Sequence, residues 1–156
     1  MKDIFSPRGL ALGGMVAALY IVLTAPFAQF TMGPIQFRVA EALTVLPIIM
    51  PQSILGVFIG CLLANIFAGA HILDIVGGSL ITLVAAILTY YFRGSKLAYS
   101  FPIVLNAIFI PMILYYAFAV PFLPTVLSIF ISQAIIILGL GVPLIAVLKR
   151  RIKNWQ

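Results

Sequence analysis

The sequence predicts an all-α integral membrane protein, and three observations predict it. Of its 156 residues, 64% are hydrophobic and 8% charged. The mean hydropathy, +1.26, lies far above that of a soluble domain. The apolar runs are of bilayer length, and most of the charge sits at their ends. At roughly 20 residues per spanning helix, six helices use most of the chain. Residues 1–156 are therefore expected to form one transmembrane domain, a six-helix bundle with no soluble domain of useful size.

Charge sets the expected orientation. The formal net charge is +6, but the basic residues are not interleaved with stacking aromatics along one face, as nucleic-acid binding requires. They sit at the ends of apolar runs: Lys2 and Arg8 before the first, Arg93 and Lys96 in one connection, and Lys149, Arg150, Arg151 and Lys153 after the last. With six spans, eight of the nine Lys and Arg residues share the side of the N-terminus and only Arg38 lies opposite. Five spans would put two of these groups outside, against the positive-inside rule. Both termini are thus expected in the cytoplasm, and the first run reads as a retained helix rather than a signal peptide.

The first span, residues 9–25, carries small residues at every fourth position: Gly9, Gly13 and Ala17, with Gly14 and Ala18 one step round. Such a ridge suits close helix contact, within the chain or with a partner. Residues 26–37 read as a structured outer loop. The apolar run from 38 to 70 is too long for one span, and Pro47 and Pro51 disfavour unbroken helix, so it is split in two. The later of these, residues 54–70, has a second small ridge at Gly56, Gly60, Ala64 and Ala68, and carries Asn65. A fourth span is expected over 74–92. A fifth over 101–120 contains Asn106 and is interrupted by Pro111. A sixth over 124–148 carries Ser128, Ser132 and Gln133.

Several chemistries are excluded. There is no glycine-rich loop closed by lysine and a hydroxyl residue, so ATP is not bound in that way. A single histidine, His71, excludes a multi-histidine metal site, and a single cysteine, Cys61, excludes an internal disulfide. No nucleophile elbow or metalloprotease motif is present. Neither a cofactor nor a metal is expected, and neither is catalysis.

What remains is scarce polarity in a greasy bundle. Arg38 and Glu41, three residues apart, lie on one helical face and can satisfy each other at a helix entrance or hold a ligand. Asp74 can cap the fourth helix or contact a ligand. Gln36, Asn65, His71 and Gln133 complete an outward-facing polar layer, with amides such as Asn106 serving as ligand contacts or as helix-bridging glue. Arg38, Glu41 and Asp74 sum formally to minus one, so a small monocation would neutralise them.

The stretch GPIQFRVAEALTVLP over residues 33–47, with GCLLAN ending at Asn65, DIVGGSLITL from Asp74 and the Asn106 segment, resembles the QueT family of queuosine-precursor transporters. These are substrate-binding S-components of energy-coupling factor importers. The resemblance runs over about residues 9–148. It implies six helices, a ligand pocket near the outer surface, and a complex with a transmembrane coupling protein (T-component) and two cytoplasmic ATPases in a bacterial cell membrane. It implies that a first-helix ridge, Gly13 with Ala17 or Gly14 with Ala18, docks on the coupling protein. It also implies a deazaguanine ligand, such as 7-aminomethyl-7-deazaguanine or queuine. On that footing Glu41 reads the guanine-like edge, Arg38 orients Glu41, and Asp74 meets the aminomethyl cation. Asn65, Asn106 or Gln133 supplies further polar contacts, and Phe37 or Tyr115 stacks on the ring. The competing reading is a self-sufficient, proton-coupled secondary transporter of a small polar nutrient using Glu41 or Asp74; a membrane subunit that binds no small molecule is a further rival.

Overall fold

The computed structural model describes residues 4–26 and 37–153. Every regular element within them is a helix, and the organising element is the least regular one. Residues Val39–Ile48 form a 3-10 helix of ten residues, and every residue from Ala40 to Ile48 is buried. This rod touches all six α-helices of the chain. Its geometry follows from its residues. Pro47 has no N–H to give an α-helical bond and its ring crowds the preceding turn, while Thr44 donates its hydroxyl back to the Glu41 carbonyl at 2.6 Å. At about 2.0 Å rise per residue, a 3-10 rod is thinner and longer than ten residues of α-helix, and Ala40 and Ala42 keep it narrow enough to sit among six neighbours.

Around it stand α1 (Pro7–Thr24), α2 (Ser53–Phe67), α3 (Ser79–Tyr91), α4 (Ser100–Phe118), α5 (Phe122–Ile136) and α6 (Val142–Lys153). Ser6 opens α1, its hydroxyl accepting from the Gly9 N–H at 3.0 Å. A π-helical turn, Asp74–Gly78, runs into α3, and another, Ile137–Gly141, joins α5 to α6. Four continuous helices are long and apolar enough to cross a membrane: Pro7–Thr24, Asp74–Tyr91, Lys96–Phe118 and Phe122–Arg151. Val39–Ile48 and Ser53–Phe67 are apolar but shorter. The expected division of residues 38–70 at its prolines is present. The second expected span, however, is a core rod with no lipid-facing side. Pro111 lies inside an unbroken α4 rather than interrupting it.

The small-residue ridges of α1 and α2 meet each other. A Cβ on Gly56 would fall 2.6 Å from the Gly13 carbonyl oxygen, and one on Gly60 would fall 2.7 Å from the Tyr20 Cβ. Backbone thus approaches backbone as in small-xxx-small membrane pairs. Gly13 and Ala17 are buried in this crossing, whereas Gly14 and Ala18 face outward with nothing near Gly14. Leu10, Met15, Leu19 and Val22 on α1, and Leu123, Leu127, Phe130 and Ile131 on α5, are exposed, as lipid-facing positions are. The polar residues are inside: Arg38, Glu41, Asn65, Asp74, Asn106 and Gln133 are each at most 6% exposed.

Candidate functional site

The buried polarity gathers around the start of the 3-10 rod. Arg38 precedes it with extended backbone (φ −104°, ψ 94°), which swings its side chain away from the helical face that holds Glu41. Its Nη2 donates to Asp74 Oδ2 at 3.2 Å, so the ion pair joins residue 38 to residue 74 and not to its near neighbour Glu41. Asp74 does not cap its helix: Leu73 holds the cap position, and no side-chain cap bond is formed. The Asp74 carbonyl accepts from Asn65 Nδ2 at 3.2 Å. The same amide reaches Cys61 Sγ at 3.7 Å, and the Thr82 hydroxyl reaches that sulfur at 3.6 Å. Gly78 sits close beneath Asp74. A Cβ there would lie 3.1 Å from Oδ1 and 3.6 Å from Asn65 Nδ2, so a side chain would crowd this corner.

Glu41 is held differently. The Tyr20 hydroxyl donates to Oε1 at 2.7 Å and Asn106 Nδ2 donates to Oε2 at 3.2 Å. Each oxygen thus has one neutral protein donor and keeps accepting capacity. Asn106, expected toward the cytoplasmic end of its helix, is thus brought to Glu41, 65 residues away in sequence. Tyr20 is the member of this polar cluster that sequence reasoning missed. Its signal was the α1 ridge: Gly13, Ala17, Tyr20 and Thr24 continue one face, and all four are buried.

Three deeply buried polar atoms find no hydrogen-bond partner among the described residues: Arg38 Nε, Asp74 Oδ1 and Gln133 Oε1. The other expected residues are placed less centrally. Phe37, beside Arg38, is 39% exposed. His71 is exposed, accepts from the Leu73 N–H at 3.3 Å and packs edge-on against Phe118, with ring centroids 5.6 Å apart. Tyr115 is 52% exposed and packs on Tyr116. Gln36 and most of the expected outer loop lie outside the described residues. Among the described residues there is no cluster of His, Cys, Asp and Glu suited to a metal ion.

Chemically, the arrangement is an acceptor-rich anionic site. One carboxylate is fixed by neutral donors, an ion pair leaves one atom unused on each partner, and the formal sum is minus one. Charged groups buried this deep in an apolar bundle are costly and seldom without a use, and the chain is a multi-pass membrane protein that encloses three of them. It belongs to the QueT transporter family, whose family model it matches over residues 10–150. It is also 39% identical over 72 residues to the queuosine precursor transporter QueT of Lactococcus lactis subsp. cremoris (strain MG1363). That match covers 45% of this chain and 42% of the relative. No solved structure matches.

Proposed function

We propose that this chain, as a single transmembrane domain, is the substrate-binding subunit of an energy-coupling factor importer and captures a queuosine precursor, a 7-deazaguanine such as the 7-aminomethyl compound. The supporting observation is the set of buried polar atoms without a partner among the described residues: acceptors on Asp74 and Gln133 and a donor on Arg38. An aminomethyl deazaguanine offers the complement, with ring N–H and exocyclic amine donors, a carbonyl acceptor and one positive charge. Glu41, fixed by Tyr20 and Asn106, takes the two donors of the guanine-like edge on its remaining lone pairs. Asp74 Oδ1 takes the ammonium, which brings the buried charge to zero. Arg38 Nε or the Asn65 and Gln133 amides serve the carbonyl, and Phe37 stacks on the ring.

In this reading the helices make six passes, with the basic termini in the cytoplasm. The subunit is non-catalytic and depends on a transmembrane coupling protein and two ATPases for power. With Gly13 and Ala17 enclosed by α2, the outward Gly14 and Ala18 pair is the register offered to the coupling protein. The test is titration of the purified chain with 7-aminomethyl-7-deazaguanine. Glu41→Gln, folded normally, is expected to bind at least about tenfold more weakly, since one charged acceptor becomes a donor. Unchanged affinity would overturn the role given to Glu41.

A further inference from the structure

The opposite end of the 3-10 rod carries a second charged feature. Two cavities, of about 280 and 310 Å³, flank Arg93 where the rod ends, and both are lined by Arg93 and Ile48. The larger adds Ser95, Lys96, Tyr99 and Lys149. Three cations from two elements of the chain therefore face one space: two from the connection between α3 and α4, and Lys149 from α6. Arg93 is held there, its guanidinium carbon 4.2 Å from the centre of the Tyr90 ring.

Among the described residues nothing acidic lines this groove. The chain has three acidic residues; Glu41 and Asp74 are buried in the polar cluster, and Asp3 lies outside the described residues. The carbonyl end of α3 supplies only about half a negative charge. Ile48 forms a buried floor, while Phe92, Leu97 and Val147 nearby in the chain are exposed and apolar. We propose that this groove binds the phosphate of an anionic phospholipid, with Arg93, Lys96 and Lys149 around the headgroup and the exposed apolar side chains along the acyl chains. Basic pockets between membrane helices are suited to this ligand, and each cation near the surface strengthens binding by about fivefold. The inference does not depend on which substrate the other end holds.

The test uses the full chain purified in detergent and titrated with dioleoyl phosphatidylglycerol or dioleoyl phosphatidylcholine in mixed micelles. Retained lipid is read by native mass spectrometry and stability by the thermal midpoint. Phosphatidylglycerol is expected to be retained and to raise the midpoint, and phosphatidylcholine to do neither. Equal behaviour of the two lipids overturns the proposal on the wild-type chain alone, whatever the variants do. The triple variant Arg93→Gln/Lys96→Gln/Lys149→Gln is expected to weaken phosphatidylglycerol binding by roughly a hundredfold. Arg8→Gln/Arg150→Gln/Arg151→Gln, which removes the same charge outside the groove, should keep most of it; equal loss in both variants reduces the effect to diffuse attraction and overturns the site. Glycerol 3-phosphate and inorganic phosphate form the last arm. If either reproduces the stabilisation at equal concentration, the groove belongs to a soluble phosphoryl compound and the lipid assignment falls.

Discussion

The two acidic corners of the buried cluster are built on different plans. Glu41 is given one neutral donor on each oxygen, from Tyr20 and Asn106. Among the described residues Asp74 is given one cation on Oδ2 and nothing on Oδ1, and Arg38 in turn leaves Nε unused. The first corner is a carboxylate fixed in place by groups that cost little to bury. The second is a charge pair whose partners need each other to be tolerated at this depth. The Glu41 corner is thus held on both oxygens, while the Asp74 corner leaves buried polar atoms without a partner among the described residues.

The comparison is broken most severely at the ion pair. Asp74→Ala strands a guanidinium at 6% exposure, and the expected loss is about 3–5 kcal/mol of stability, visible as a collapse of the thermal midpoint and of folded yield in detergent. A loss no larger than that from a neutral hydrogen bond would show that the two corners are energetically alike. Next comes Tyr20→Phe, which removes one donor from Glu41 and leaves the ring packed. About 1–2 kcal/mol is expected, together with weaker ligand binding; an unchanged midpoint and affinity would mean that Asn106 alone fixes the carboxylate. The smallest effect on the fold is expected at Gln133→Leu. Its Oε1 has no partner among the described residues, so stability should move by less than about 1 kcal/mol while precursor affinity falls. A large destabilisation with intact affinity would make Gln133 part of the scaffold.

Much of this was legible in the residues. The four helices long and apolar enough to cross a membrane follow from hydropathy, and the break between the 3-10 rod and α2 follows from Pro47 and Pro51. Arg38, Glu41, Asp74 and Asn65 stood out because so few polar groups occur in so apolar a chain, and all four are buried. The pairing among them was not legible. Spacing of three residues suggested that Arg38 and Glu41 face each other, but Arg38 lies just before the helix in extended backbone. Tyr20 was hidden because a tyrosine near a helix end also fits an interface belt, and only its place on the buried ridge of α1 distinguishes it.

By itself the sequence determined that this chain lives in a membrane, where its helices break, and which few polar side chains are too costly to expose to lipid. Tertiary structure alone decided who holds whom, because the deciding bonds join residues 21, 36 and 65 positions apart. It also decided that the helix after Arg38 is a rod enclosed by six others. Burial is a property that each residue carries in its own chemistry, whereas a hydrogen-bond partner is a matter of distance and direction, set only when the helices have packed.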